Sequence, residues 1–305
     1  MRRADICVVQ IAECFRNDAD ILCNPIGISP IIGGRLAKAT FANEVVMTDA
    51  VSVLAANILP LGDSSAERVI ESYVPYRTIF DIVWSGRRHV MMGATQIDQF
   101  GNQNIAAIGG YEKPKVQLLG LRGAPGNLIN HRTSYWVPKH SKRSFVANVD
   151  VVSGPGYDKM KTLGAPGNRF HDVYRVVSNL GVFDFSTPDN RMRLVSIHPG
   201  VEIEQILENT DFQLEVPEEL EESRLPTESE LEIIQLIDPE GARYAEVSDE
   251  LISARSKRYS LNKKKIILGN GSDELISILA QTFLNYNDEA IYTESVSYTH
   301  LTLPT

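Results

Sequence analysis

Hydrophobic and polar positions along the chain predict a mixture of helices and strands. Apolar residues at helical spacing in ADICVVQIAECFR (4–16) and PIIGGRLAKATF (30–41) predict two helices. The run EVVMTD (44–49) predicts a short buried strand, and PYRTIFDIVWSGR (75–87) predicts a helix that leads into the strand RHVMMGATQ (88–96). The N-terminal third of the chain is therefore predicted to be of α/β type.

Strand patterns dominate the next hundred residues. Loops rich in Gly, Pro and Asn separate VQLLG (116–120), SFVANVDVVSG (144–154), YRVVSNLGVFDF (174–185) and RMRLVSIH (191–198). Strands mixed with helices favour a layered α/β domain, in which ligands bind at the loops that follow the strands. Candidate chemistry is therefore expected at strand ends.

Composition narrows the function classes. The 305 residues are 43% hydrophobic and 23% charged, which is typical of a globular protein and excludes disordered and collagen-like chains. A net charge of −9 gives the chain as a whole no basic footprint for nucleic acid or anionic membrane. The longest apolar stretches reach about half of the roughly 20 residues that a membrane-spanning helix needs. We therefore expect a soluble cytoplasmic protein.

The three cysteines are Cys7, Cys14 and Cys23. They form no CxxC pair and have no histidine cluster beside them, so neither a metal site nor a disulfide framework is indicated. We expect them to pack as small buried side chains.

Acidic charge is concentrated in one segment. Residues 201–250 carry 17 acidic and 2 basic side chains. Within them, Thr227 and Glu230 fit a capping box that opens a helix with Leu231, Ile234 and Leu236 on its apolar side. This pattern predicts a solvated, acidic helix at the periphery of the fold.

Three turns at strand ends carry candidate chemistry. In the first, Asp49 follows mostly apolar residues, where it is either a nucleophile or base, or a cap of the next helix. In the second, GATQIDQFGNQN (93–104), small residues allow close backbone approach, and Gln96 and Asn104 offer uncharged amides.

The third turn is LRGAPGNLINH (121–131). Its glycines and proline predict an exposed backbone whose N–H groups at Gly126 and Asn127 can form an oxyanion hole or an anion nest. Arg122 and His131 flank this loop, and Asn130 lies beside His131.

Together these turns resemble the β subunit of the class I coenzyme A transferase family. In that family one strand ends in a turn that bears the catalytic glutamate, a Gly-Ala-x-Gln segment follows, and a glycine-rich loop comes later. GATQIDQFGNQN matches the second element best, RGAPGN matches the third loosely, and Thr48-Asp49-Ala50 matches the first only in part. The resemblance covers roughly residues 1–247 and implies an open α/β sheet with flanking helices, the NagB/RpiA-like fold.

Four segments are most similar to one branch of this family, found in bacterial steroid-ring catabolism. They are GRRHVMMGATQIDQFGNQN, NLINHRTSYWV, DVVSGPGYD and YRVVSNLGVFDF. That branch opens a ring of a bicyclic keto-acyl-CoA by hydrolysis. The resemblance implies an α subunit as partner, a heterotetramer of two α and two β chains, and coenzyme A as part of the substrate with no resident cofactor.

Asp49 favours hydrolysis over transfer of coenzyme A between acids. A transferase carboxylate must attack the thioester carbonyl at a distance of about 3–3.5 Å. Asp is one methylene shorter than Glu, which is about 1.5 Å of reach. Acyl-CoA:carboxylate transfer remains the alternative activity, and a non-catalytic α/β partner that binds a ligand is the third hypothesis.

The resemblance also implies roles for the residues in the three turns. The general base would come from the α subunit, and Asp49 would be a polar wall or position the water. Gln96, Asn104, Gly126 and Asn127 would donate hydrogen bonds to the developing oxyanion. Arg122, Asn130 and His131 would lie near the substrate.

Residues 248–294 have a different character. GNGSDE (269–274) resembles the pyridoxal-phosphate-binding segment of fold-type I aminotransferases, especially the histidinol-phosphate group, in which Gly271, Ser272 and Asp273 would meet the phosphate. No counterpart of the lysine-bearing domain follows, so we expect a truncated α/β appendage without pyridoxal-phosphate activity. Residues 295–305 resemble translated adapter sequence, and the whole predicts an artificial join.

Overall fold

The computed structural model describes residues 2–19, 22–47, 53–61, 66–121, 123–239, 241, 256–260 and 262. The chain divides into two compact units, Met1–Tyr244 and Ala245–Thr305. The described residues of the second unit include one helical turn at 256–259. The elements and the candidate site below all belong to the first unit, and the domain boundaries derived from the sequence stay a prediction.

Helices are interspersed with single strands and runs of strands along the described part of the first unit. The described helices are α1 (Arg3–Glu13), α2 (Ile28–Thr40), α3 (Tyr76–Val83), α4 (Ala124–Asn130), α5 (Tyr157–Leu163), α6 (Ile203–Glu208) and α7 (Glu228–Ile237). The described strands are β1 (Leu22–Pro25), β2 (Val46–Met47), β3 (Val53–Ala55), β4 (Ile70–Tyr73), β5 (Arg88–Gly93), β6 (Gln96–Ile97), β7 (Gln103–Asn104), β8 (Ala107–Ile108), β9 (Val116–Gln117), β10 (Arg132–Val137), β11 (Asp172–Ser178), β12 (Gly181–Asp184), β13 (Arg193–Ile197) and β14 (Glu221–Glu222).

The central sheet has eight strands in the order β14-β13-β12-β11-β10-β5-β1-β2. From β11 to β2 all neighbouring strands are parallel, whereas β12 and β13 extend the sheet in antiparallel fashion. Three two-stranded sheets, β3-β4, β6-β7 and β8-β9, accompany it. This architecture confirms the predicted layered α/β fold.

Hydrophobic cores lie on both faces of the sheet. Met92 of β5 faces a core that includes Leu128 of α4. Its neighbour Met91 faces a second core that includes Leu36 of α2 and Ile234 of α7. Alternation along the strand therefore fills both layers, as expected for parallel strands covered by helices.

The N-terminal helices and the cysteines agree with the sequence. The first two predicted helical segments coincide with α1 and α2 to within a few residues at each end. Cys7, Cys14 and Cys23 are buried thiols, as predicted. Burial raises the pKa of the Cys14 thiol to about 12, so the group stays protonated at neutral pH.

The acidic segment is less peripheral than predicted. Thr227 and Glu230 form the expected capping box at the start of α7. However, Ile234 and Ile237 are fully buried, whereas Leu236 is 70% exposed. Glu230 is buried as well, with Arg224 donating to its carboxylate at 2.7 and 2.9 Å. α7 thus completes the core around α1 and α2 with one side. On its other side Glu228 and Glu232 are exposed, as predicted, but the assignment of Leu236 to the apolar side was wrong.

The prediction of a strand at 144–154 was also wrong. Phe145 forms only a bridge to Ile97, and Gly154 only a bridge to Gln103. The backbone of this segment pairs with the loops that follow β5 and not with the central sheet. Its valines therefore belong to an irregular connection.

Within the described ranges, no helix is both long and apolar enough to cross a membrane.

Gly33 sits where α2 crosses α1. A Cβ at this position would overlap Ile11 Cγ2 and lie 2.8 Å from Ile11 Cβ and 3.0 Å from the carbonyl oxygen of Val8. We expect Gly33→Ala to lower the free energy of unfolding by about 1–3 kcal/mol through overpacking. This loss exceeds the gain in helix propensity of at most about 1 kcal/mol.

Urea unfolding measures this effect, with Gly110→Ala as the matched control. Nothing lies within 4 Å of a Cβ built at Gly110, so this variant should stay within about 0.5 kcal/mol of the parent. A Gly33→Ala protein as stable as the parent would contradict the packing described here.

Candidate active site

The second polar turn lies at the carboxyl end of β5, and the strand that precedes Asp49 ends at the same edge of the sheet. The turn at 93–104 follows β5 directly, and β2 ends at Met47, two residues before Asp49. Only β1 separates β2 from β5 in the sheet, so these two strands are about 10 Å apart. Asp49 itself lies outside the described residues.

Gln96 and Asn104 are brought together as the second turn predicts. They pair across the β6-β7 hairpin, and the Asn104 Nδ2 group donates to Gln96 Oε1 at 2.7 Å. Asn104 Nδ2 also donates to the carbonyl of Ala107 at 2.7 Å. Both hydrogens of the Asn104 amide are therefore used within the chain, where they fix the turn.

Asp150 completes this network. Its Oδ2 accepts from Gln96 Nε2 at 3.1 Å and from the Gly109 backbone N–H at 2.9 Å. Its own N–H donates to Gln96 Oε1 at 3.0 Å. Asp150 thereby joins the β6-β7 turn to the β8-β9 hairpin. Sequence reasoning missed this residue because 54 positions separate it from Gln96.

The third turn is helical and not an open loop. Residues 124–127 form the first turn of α4, with Pro125 in the first helical positions. The prediction of an exposed loop over GAPGN was therefore wrong. Because Pro has a fixed φ and lacks an N–H, it favours the start of a helix. A Cβ built at Gly126 would meet nothing within 4 Å, so space remains beside this turn.

Asn127 and His131 share a buried partner, Arg88. Arg88 Nη1 donates to Asn127 Oδ1 at 2.7 Å and lies 3.2 Å from His131 Nε2. His131 is fully buried, and its Nδ1 lies 3.1 Å from the carbonyl oxygen of Arg132. The ring is therefore neutral, with its proton on Nδ1 and Nε2 accepting from Arg88.

α4 separates the predicted site residues along the sheet. Its first turn holds Gly126 and Asn127, whereas His131 follows its last residue and adjoins the amino end of β10. The structure therefore does not bring His131 to the carboxyl edge with Gln96 and Asn104. Asn130 Nδ2 donates back to the Gly126 carbonyl at 2.8 Å. Arg122 and the predicted phosphate loop Gly271, Ser272 and Asp273 lie outside the described residues.

A second polar network that the sequence did not predict lies at the amino edge. Asp18 Oδ2 is 2.6 Å from His89 Nδ1, and His89 Nε2 is 2.8 Å from Ser134 Oγ. This order resembles a nucleophilic triad. However, His89 and Ser134 are fully buried and lie near the amino ends of β5 and β10, away from the polar turns. Its geometry suits a structural link between the segment after α1 and the sheet.

The described part of the chain offers no group of side chains that could bind a metal ion. No three His, Cys, Asp or Glu side chains among those residues are placed to hold a metal ion.

The open, mainly parallel sheet and the polar turn at its carboxyl edge define a class of proteins. Comparison with known sequences identifies that class. The chain belongs to the coenzyme A transferase family, whose sequence profile matches residues 23–209. It is 48% identical over 246 residues to the cholesterol ring-cleaving hydrolase IpdB subunit of Mycobacterium tuberculosis, covering 80% of this chain and 98% of that one. It is 33% identical to a 3-oxoadipate CoA-transferase subunit of Pseudomonas knackmussii over 224 residues, 70% of this chain and 85% of that one.

Solved structures agree with this assignment. The crystal structure of Rhodococcus jostii RHA1 IpdAB superposes with a TM-score of 0.76 at 44% identity, covering 81% of this chain and 99% of that chain. A shorter likeness, 46% identity over 55 residues, relates 18% of this chain to 14% of a histidinol-phosphate aminotransferase of Nitrobacter winogradskyi. Both predicted resemblances, to the coenzyme A transferases and to the aminotransferase fragment, are confirmed.

Three buried histidines predict how stability depends on pH. Burial lowers the pKa of His131 and His198 to about 4 and that of His140 to about 3. In the unfolded chain the pKa is about 6.5. The unfolded state therefore binds more protons, and stability that is present above pH 6.5 is lost as the pH falls toward 4.

As the pH falls within that window, we expect each of these histidines to lower the free energy of unfolding by up to about 1.4 kcal/mol per pH unit. Urea unfolding between about pH 7 and pH 5 measures the slope. His140→Gln should make the slope shallower because one buried group no longer titrates. Glu13, Asp184 and Glu230 have lowered pKa values and act below this window. A free energy of unfolding that is constant from pH 7 to pH 5 would contradict the prediction.

Proposed function

We propose that this chain is the β subunit of a cytoplasmic two-subunit enzyme that opens a ring of a keto-acyl-CoA by hydrolysis. The observation that carries this proposal is the similarity to a cholesterol ring-cleaving hydrolase subunit over almost that subunit's whole length. The identity to the CoA-transferase subunit is lower, which favours hydrolysis over transfer.

In the proposed reaction, water adds to a carbonyl carbon of the substrate. A general base takes a proton from the water, and the carbonyl oxygen becomes an oxyanion. The bond between that carbon and its ring neighbour then breaks, leaving a carboxylate and a carbanion that takes up a proton. Coenzyme A stays on the substrate throughout, so no resident cofactor is needed.

This chain would contribute hydrogen-bond donors at the carboxyl edge. Asn104 has both amide hydrogens committed to Gln96 and Ala107. The Nδ2 group of Asn127 contacts the sulfur of Met92 at 3.9 Å. A thioether sulfur is a weak acceptor. Asn127 is therefore the side-chain amide of the two better able to turn to an oxyanion.

Transfer of coenzyme A to an acceptor acid is the second candidate function, because the chain also resembles a CoA-transferase subunit. That reaction needs a carboxylate nucleophile. Asp49 stands where the family has glutamate, and its shorter reach disfavours attack on the thioester.

The β3-β4 hairpin is the proposed contact with an α subunit in a heterotetramer. Every residue of β4 is exposed, including Ile70 at 59% and Tyr73 at 66%. A two-stranded hairpin is only marginally stable when nothing covers it. The solved relative IpdAB is by its name a pair of subunits, which supports a partner chain as the cover.

Substrate turnover in the reconstituted complex tests the function. We expect a bicyclic keto-acyl-CoA to be opened at the same rate with and without an added carboxylic acid, because water is the acceptor. Chromatography of the CoA products measures this rate. Turnover that depends on the added acid would establish the transferase alternative.

Asp49→Ala in the same complex separates the two mechanisms further. Ring opening should fall by no more than about tenfold if Asp49 only positions water, whereas loss of a covalent nucleophile costs far more. Complete loss of turnover in Asp49→Ala would contradict the hydrolytic role given to this residue.

Ile70→Asp tests the proposed subunit contact. A charge placed at a covered apolar position should weaken assembly by about tenfold or more. Leu236→Asp is the matched control, because Leu236 is an aliphatic residue that is 70% exposed on α7. Sedimentation of mixed subunits measures the dissociation constant. Equal assembly of the Ile70→Asp and parent chains would exclude the β3-β4 hairpin as the contact.

A further inference from the structure

A buried arginine, Arg88, contacts Asn127, the candidate oxyanion donor. We propose that Arg88 is a positioning residue, which holds the Asn127 carboxamide with its NH₂ group turned toward the carboxyl edge of the sheet. This inference rests on the proposed function, in which Asn127 donates to the oxyanion. Arg88 is the first residue of β5, so it lies at the opposite end of that strand from the polar turn.

One guanidinium nitrogen of Arg88 contacts two side chains of α4 and its C-terminal end. Arg88 is 6% exposed, and its Nη1 atom donates to Asn127 Oδ1 at 2.7 Å. The same atom lies 3.2 Å from Nε2 of His131. Asn127 and His131 are four positions apart, at the centre and the C-terminal end of α4, so one nitrogen can reach both.

A guanidinium selects one end of a carboxamide. Arg only donates hydrogen bonds, so it binds the oxygen of Asn127 and not the nitrogen. The nitrogen must then point the other way. It lies 3.9 Å from Met92 Sδ and 4.0 Å from a Cβ built at Gly123. Met92 is four residues further along β5, and Gly123 precedes α4, so the NH₂ group faces the carboxyl edge.

His131 keeps this arrangement from reversing. Its Nδ1 hydrogen is directed to the carbonyl oxygen of Arg132 at 3.1 Å, which leaves Nε2 as an acceptor for Arg88. Burial lowers the pKa of the ring to about 4, so at neutral pH it carries no charge that would repel the guanidinium. Arg88 Nη1 therefore meets two neutral acceptors, Asn127 Oδ1 and His131 Nε2.

Lysine could not replace this arginine fully. An ammonium group is a compact donor on a flexible stem, whereas the planar guanidinium keeps its N–H groups in a fixed geometry. We therefore expect Arg88→Lys to retain the charge and to orient Asn127 only in part.

A double-mutant cycle in the reconstituted complex tests the proposal with a bicyclic keto-acyl-CoA as substrate. We expect Arg88→Met to lower kcat by about tenfold or more and to change KM by less than about twofold, because an oriented donor acts in the transition state. In an Asn127→Ala background the same change should lower kcat by less than about twofold. Arg88→Lys should fall between the parent and Arg88→Met.

Arg132→Met is the matched control. Arg132 opens the neighbouring strand β10 and pairs with Asp172 at 2.7 Å and with Asp18 at 3.3 Å, and neither of these contacts involves Asn127. Its loss should leave kcat within about twofold of the parent even if it lowers stability. Equal losses of kcat for Arg88→Met with and without Asn127 would overturn the proposal, and so would equal losses for Arg88→Met and Arg132→Met.

The side-chain amide signal of Asn127 reports the orientation of this group without any turnover of substrate. In a complex labelled with ¹⁵N at asparagine, the side-chain amide signal of Asn127 is identified by its loss in Asn127→Ala. This signal should move in Arg88→Lys and stay in place in Arg132→Met. An unmoved signal would overturn the positioning role. Absence of ring opening in the parent complex would overturn the proposed function, and the amide signal would then decide the orientation alone.

Discussion

Parallel pairing of β5 with β1 on one side and β10 on the other is the constraint on which the site depends. Met91 aligns with Pro25 of β1 and with Ser134 of β10, which fixes the register across three strands. A shift by one residue would send Met91 and Met92 into each other's cores, so burial on both faces enforces that register. Because these strands all end at one edge, their following turns meet there.

The two edges of the sheet use polar groups differently. At the amino edge, charges and imidazoles bind one another: the buried His89 lies 2.6 Å from the buried Asp18, and the half-buried Arg132 donates to Asp172 at 2.7 Å. At the carboxyl edge, amides and one carboxylate hold hairpins in place: Asn104 donates to Gln96, and Gln96 donates to Asp150. A buried polar network that is fully satisfied is rigid. The amino edge thus forms a fixed base, and α4 links it to the turns above.

Local signals predicted much of the fold and part of the site. The capping box of Thr227 and Glu230 acts within one helical turn, so the start of α7 followed directly from the sequence. The neighbourhood of Gln96 and Asn104 also followed from a short segment. The buried side of α7 did not follow, because the choice of Ile237 over Leu236 depends on where α1 and α2 lie.

Long-range contacts account for the residues that were missed. The partners of Asp150 and Arg88 are 54 and 39 positions away along the chain, so no local pattern marks either residue. His131 adjoins the amino end of β10, one helical turn of α4 away from Asn127, and the two share Arg88 as a hydrogen-bond partner. One backbone contact extends the influence of α7 in the same way. The N–H of Leu61, in the segment that follows β3, donates to the carbonyl of Ile237 at 2.7 Å. Because this hydrogen bond joins two backbone atoms, the segment that follows β3 is tied to the end of α7 whichever side chains the two segments carry.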